Sequence, residues 1–174
     1  MRVLSRLLVV LATLMALFGA TSAPANAAND YPWRTDSTQS ADRWGFTKRQ
    51  CVSFVAWRLA QRGTRLDNRT QRWGNATNWD NAARRMGHRV GTRPVVGAIA
   101  QWNAYEGSAF YTWGSTRPNA RMRAGGYGHV AYVEAVYRDG SVRIAQYNMY
   151  GNRSYSLVRA KAPRYLYVKV RAPR

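Results

Sequence analysis

The chain holds one cysteine, Cys51, and two histidines, His88 and His129. Nucleophilic chemistry here would have to be built from these. A thiol attacks as its thiolate, which a helix N-terminus or a neighbouring cation favours, and it needs a base to take its proton and later protonate a leaving group. Val52, Val55 and Leu59 recur at helical spacing, with Ala56 and Ala60 alongside and Gly63 as a stop, predicting a helix from about residue 50. Cys51 then falls in the first turn, just after Lys48 and Arg49. The competing reading of a lone thiol is a buried, inert cysteine.

His129 supplies the base. It follows Gly128 at the mouth of an apolar, β-branched run, His129–Tyr137, from which it could reach a helix start. His88 follows a helix end and reads as a loop residue. The turn Arg138-Asp139-Gly140 pairs the His129 strand with a return strand, Ser141–Met149. By the two-residue period Gln146 and Asn148 share a face of that strand, close to opposite His129, and either amide could accept its ring N–H. Glu134 lies an odd number of residues from His129, on the other face, and reads as structural. Two histidines and one cysteine are too few for a metal-ligand cluster, and no cofactor loop stands out.

The elements that must position these groups read as helices first and strands after. Asn78 is a good N-cap for a second short helix, Trp79–Met86, with Asp80 in its first turn and Gly87 at its end. Val95–Trp102 reads as a buried strand, and Ser154–Ala160 and Tyr165–Val170 as two more. Asn103–Gly126 reads as a long excursion rich in Gly, Ser, Asn and aromatics. Helices followed by an antiparallel meander make an α+β pattern, not alternating βαβ units.

Arg2 and Arg6, the apolar run Leu7–Ala20 and Ala25-Asn26-Ala27 form a signal-peptide pattern over residues 1–27, with cleavage expected after Ala27. The apolar run falls short of the roughly 20 residues a spanning helix needs, so export without stable membrane insertion is expected. Residues 28–41 read as a flexible lead-in and 42–174 as one catalytic domain. The formal charge of +19, nearly all from arginine, becomes +17 without Arg2 and Arg6. Such a field draws polyanions. Outside a cell anionic wall polymers are better partners than any specific nucleic acid. A monomer is expected.

Four segments, in order, resemble the CHAP family, the cysteine, histidine-dependent amidohydrolases/peptidases of bacterial and phage cell-wall enzymes. They are Arg-Gln-Cys-Val-Ser-Phe-Val-Ala-Trp-Arg-Leu (49–59), Trp-Gly-Asn-Ala-Thr-Asn-Trp (73–79), Pro-Val-Val-Gly-Ala-Ile-Ala-Gln-Trp (94–102), and Gly-His-Val-Ala-Tyr-Val-Glu with Asp-Gly-Ser-Val-Arg-Ile-Ala-Gln-Tyr-Asn (128–148). The resemblance implies a papain-like α+β fold with N-terminal helices packed on an antiparallel sheet. It implies Cys51 as nucleophile, His129 as general base, and Gln50 with the Cys51 backbone N–H as the oxyanion hole. The implied substrate is an amide bond of peptidoglycan, in the stem peptide, a cross-bridge or the muramoyl–alanine link. Family members commonly carry Glu where this chain has Gln146, while Asn148 matches, so Asn148 is expected to weigh more in catalysis than Gln146.

Trp102, Tyr111 and Trp113, in or beside the excursion, are candidate substrate contacts, since aromatic faces stack on sugars or line peptide clefts. Two other classes compete with a secreted, wall-associated hydrolase. One is a wall-binding module that has lost catalysis, for which Gln146 argues. The other is a cationic polyanion-binding or antimicrobial protein, for which the charge argues.

Overall fold

A computed structural model describes residues 29–112 and 115–168; the expected signal peptide and Trp113 lie outside them. The architecture is α+β. Helices α1 (Cys51–Ala60), α2 (Asn68–Gln71) and α3 (Trp79–Arg85), with a 3-10 turn at Ala76–Asn78 before α3, precede the strands. Among the described residues one antiparallel sheet has eight strands: β1 (Val90–Gly91), β2 (Ile99–Trp102), β3 (Gly107–Tyr111), β4 (Ala120–Arg123), β5 (His129–Val136), β6 (Val142–Tyr147), β7 (Tyr155–Ala160) and β8 (Arg164–Leu166). Their spatial order is β1-β8-β2-β5-β6-β7-β3-β4.

Helix α1 ends as its sequence dictates. Gly63 adopts a left-handed φ of 77°, and the next amide, Thr64 N–H, returns to Leu59 O at 3.0 Å. Every residue of α1 from Ser53 to Leu59 is buried, because the helix is covered on both sides. The sheet packs beneath it, and Tyr31, Trp33 and Trp44 from the N-terminal segment pack around it. Within residues 29–41, expected as a flexible lead-in from their polar composition, Tyr31 is an anchor in the core while most of its neighbours are exposed. Tyr31 is fully buried among Trp33, Phe54, Trp57 and Tyr147, and this burial offsets the ordering entropy of its polar neighbours.

Alternation divides the central strands between two cores. Val130 and Tyr132 of β5, with Ala145 and Tyr147 of β6, face α1. Ala131, Val133, Val142 and Ile144 face a second core with Trp102, Met122, Tyr165 and Tyr167. Both faces are thus covered, which is why β2, β5 and β6 are buried along almost their whole length. The register of β5 on β6 shifts between Val133 and Ala135, leaving Glu134 as the bulge residue. Glu134 is buried 3.8 Å from Arg58 Nε, and burial pushes its carboxyl up. It takes no part near His129.

The excursion expected over 103–126 is largely a hairpin. β3 and β4 pair with each other, and β3 extends the sheet beyond β7. β3 opens on Gly, Ser and Ala, and the alternation of β4, Ala-Arg-Met-Arg, runs over only four residues, so the pairing had a weak local signature. Asn78 precedes α3 but makes no side-chain cap bond. Buried Asp80 instead accepts the Asn81 N–H at 2.9 Å and pairs with Arg84 at 3.0 Å.

Gly128, just before β5, is wedged between two backbones. A Cβ there would lie 2.6 Å from Thr77 N and 2.7 Å from Trp102 O, and its φ is +72°. Gly140, in the β5–β6 turn, shares the positive φ but has nothing within 4 Å. Gly128→Ala is expected to lower unfolding free energy by about 3 kcal/mol or more, and Gly140→Ala by about 1–2 kcal/mol. Chemical denaturation of the two variants checks this contrast.

Candidate active site

Cys51 is the first residue of α1, and Gln50 is its N-cap residue. The first amides of a helix have no intrahelical partner, so positive potential gathers at this end. The side chain of Gln50 makes no cap bond. It reaches across to Asn148, whose Nδ2 donates to Gln50 Oε1 at 2.6 Å. With its carbonyl held, Gln50 presents its amide NH2 to the surroundings.

His129 opens β5 and is only 4% exposed. Its ring lies 5.9 Å from the Trp102 ring, on the face of the second core. Its Nε2 is 2.6 Å from Gln146 Oε1. The Gln146 Nε2 donates to Ser156 Oγ at 3.0 Å and to Met149 Sδ at 2.8 Å, so its oxygen is the atom that faces the imidazole. An oxygen there accepts, which puts the ring proton on Nε2 and leaves Nδ1 as the basic nitrogen.

Gln146, not Asn148, is therefore the amide on His129. Extending the β5–β6 register sets Asn148 opposite His129, as expected, but β6 ends at Tyr147. Asn148 takes a left-handed φ of 58°, which turns its side chain out of the strand. Both ends of that side chain are then occupied: Nδ2 by Gln50 and Oδ1 by the Arg153 N–H at 2.8 Å. Gln146, nominally opposite Ala131, reaches His129 on the diagonal.

Cys51, His129, Gln50 and Asn148 meet in one cleft of about 520 Å³. Thr47, Asn75, Ala76, Met122, Tyr127 and Met149 contribute to its walls, and so does Gln39 from the N-terminal segment. No lining residue among those described carries a charge at neutral pH, in a chain of formal charge +19. Gln39, Thr47 and the two methionines carried no sequence signal. Gln101 fixes one wall from beneath, its buried amide donating to Ala76 O at 2.7 Å.

Two of the aromatic candidates, Trp102 and Tyr111, lie elsewhere. Trp102 is fully buried, its Nε1 donating to Ser108 Oγ at 2.8 Å, so it is a core residue beneath His129 and not a contact surface. Tyr111 is 4% exposed and bound to Asp139 at 2.8 Å, under the Arg159 guanidinium. Neither lines the cleft. Tyr127, 75% exposed, is the aromatic at its rim.

Burial dominates the electrostatics. It pushes the Cys51 thiol up to about 11, against the lowering by the Val130 and Val52 N–H groups. The expectation that helix start and cations would depress it does not hold. Lys48 is spent on Asp36 at 2.7 Å, and the Arg49 guanidinium points away to Arg153 O. Burial likewise lowers His129 to about 4, only partly offset by Gln146. Burial thus disfavours the charged form of both groups. Among the described residues no three His, Cys, Asp or Glu side chains gather as a metal site.

Gln50, Cys51, His129, Gln146 and Asn148 all lie within a region that matches a known family. The CHAP domain family model matches residues 41–148, more than half of the chain. Similar curated proteins include the staphylococcal secretory antigen ssaA2 of Staphylococcus aureus (strain MRSA252), 38% identical over 103 residues, or 59% of this chain and 29% of that one. The staphylococcal secretory antigen SsaA of Staphylococcus epidermidis is 36% identical over 107 residues, covering 62% of this chain and 31% of its own. A crystal structure of N-acetylmuramoyl-L-alanine amidase from Staphylococcus aureus superposes with a TM-score of 0.55 at 27% identity, over 79% of this chain and 36% of that one. The chain thus spans about a third of the length of these proteins. With Cys51 and His129 facing one cleft inside the matched region, the chain belongs to the CHAP domain family.

Proposed function

We propose that the protein is a secreted peptidoglycan hydrolase that cleaves an amide bond through a Cys51 thioester. The observation that carries this reading is the meeting of Cys51 at a helix start, His129 at a strand mouth and the Gln50 amide in one cleft. The likeness to an N-acetylmuramoyl-L-alanine amidase supports the bond class, and relatives named secretory antigens support export. The helix-borne cysteine and strand-borne histidine also fit a papain-like arrangement.

The chemistry follows from a pair whose charged forms burial disfavours. His129 Nδ1 takes the thiol proton as Sγ attacks the substrate carbonyl carbon. The developing oxyanion is met by the Cys51 backbone N–H and Gln50 Nε2. The imidazolium then protonates the amide nitrogen, the C–N bond breaks, and the amine leaves. Water attacks the thioester with His129 again as base, releasing a carboxylic acid and restoring the thiol. Gln146 keeps its hydrogen bond from Nε2–H throughout, which fixes the ring and leaves Nδ1 to shuttle the proton. Asn148 acts one step removed, by holding Gln50. The basic exterior keeps the enzyme near an anionic wall, while its cleft handles the scissile bond.

Product analysis by mass spectrometry on purified peptidoglycan tests this reading. The parent chain is expected to release a new amino group, and Cys51→Ala to release none while still binding the wall. Equal release by both would end the cysteine mechanism.

Gln146→Ala is expected to lower kcat about 100-fold, through loss of the tautomer, and Asn148→Ala about 10-fold, through a loosened oxyanion donor. Steady-state kinetics on one substrate ranks the two.

The buried imidazole also sets pH behaviour. His129 is lowered from 6.5 to about 4, so the folded state binds fewer protons than the unfolded state between those values. Stability therefore rises with pH through this window and is lost as pH falls from 6.5 towards 4, by up to about 3 kcal/mol. The acid limb of kcat/KM should accordingly lie near pH 4, and Gln146→Glu, which would stabilise the imidazolium, should move it towards neutrality. Denaturation curves and rate profiles across pH 4–8 check both outcomes.

A further inference from the structure

Residues 29–40 precede the family match, which starts at 41, yet they reach the turn that leads into the nucleophile. Arg49, two residues before Cys51, is held at a φ of 59°, a left-handed conformation that is strained for a residue with a side chain. Something must hold it there. Its backbone N–H donates to the Tyr31 hydroxyl at 3.0 Å. Its guanidinium bridges two carbonyls, Asp36 O at 3.2 Å and Arg153 O at 2.9 Å. Asp36 is fixed in turn by Lys48 and Thr38.

The Tyr31 hydroxyl is one link in a directed chain. Ser53 Oγ donates its only proton to Asp42 Oδ2 at 2.6 Å. At 2.6 Å from Ser53 Oγ, Tyr31 must therefore be the donor of that pair, leaving its lone pair for the Arg49 amide. Asp42 is anchored by accepting the Trp44 and Phe46 N–H groups. Burial keeps Tyr31 protonated, raising its hydroxyl to about 12. Ring and hydroxyl are thus separate contributions: the ring packs in the core, and the hydroxyl terminates on the backbone that delivers Gln50 and Cys51.

We propose that Tyr31 is a positioning residue for the nucleophile, and that residues 29–40 form a working part of the active site. Its hydroxyl holds Arg49 in the conformation that turns Gln50 and Cys51 into the cleft. The same segment adds Gln39 to the cleft wall. The proposal rests on the hydrolase reading for its kinetic test and on thiol chemistry for an independent one.

Tyr31→Phe keeps the ring and removes the hydroxyl. Tyr165→Phe is the control: Tyr165 is equally buried, its hydroxyl accepts the Ala162 N–H at 3.3 Å, and it does not line the cleft. Both variants of the full chain are expected to lose a few degrees in Tm. Tyr31→Phe alone should lose about tenfold in kcat at little change in KM, and its alkylation by iodoacetamide at Cys51 should slow severalfold. Parental kcat in Tyr31→Phe, or equal losses in both variants, would overturn the proposal. If the parent chain cleaves no peptidoglycan, the hydrolase reading fails and the alkylation rates decide alone, with equal rates counting against Tyr31. Should Tyr31→Phe not fold, Ser53→Ala removes the neighbouring link, and unchanged kcat and alkylation there would overturn the proposal equally.

Discussion

The hydrogen bond of 2.6 Å between His129 and Gln146 sets the terms for everything around it. An imidazole sealed in a protein interior is costly to charge, and an amide partner fixes its tautomer without neutralising that cost. Burial disfavours the charged pair in consequence, and any charge separation has to be supported at the moment of reaction. This gives weight to the donors at the start of α1, and to whatever holds Gln50 and the Cys51 backbone in place. A carboxylate at residue 146 would have moved that burden onto the base itself.

The fold supplies the seal from two sides. Sheet strands whose faces are both covered put His129 on the second core while Cys51 comes from a helix on the first. The two meet only at the end of the sheet, where β5 begins and α1 begins. That meeting depends on close backbone approach at Gly128, where no side chain fits beside Thr77 and Trp102. It depends equally on Arg49, just before Gln50, and Asn148, just after β6, in left-handed conformations. The strain sits next to the chemistry, and part-buried hydrogen bonds over-determine it.

Charge is separated from chemistry. A formal charge of +19 sits on the same chain as a cleft whose described lining is uncharged. Several arginines are committed internally: Arg49 to two carbonyls, Arg58 over Trp57, Arg159 over Tyr111 and Arg164 to Glu106. These contacts fix where the charges sit without removing them, and the net charge bears on approach to a polyanion more than on the site itself.

The sequence by itself determined the local grammar. The spacing of Val52, Val55 and Leu59 with Gly63 fixed α1 and put Cys51 at its start. Asp139-Gly140 fixed the β5–β6 hairpin, which brought Gln146 and Asn148 near His129. These signals survive because helix and strand periods, and turn residues, are properties of neighbouring residues. Only the tertiary structure decided which amide bonds the imidazole, because that depends on where β6 ends and how Asn148 turns. It also decided that Trp102 and Tyr111 are buried, that residues 103–126 hold a hairpin, and that Tyr31 reaches the nucleophile turn. Each of these is a matter of what covers what, and burial is set by the packing of distant segments, which no local pattern encodes. The same burial reversed the expected thiol shift, since desolvation outweighed a helix start whose neighbouring cations were already engaged.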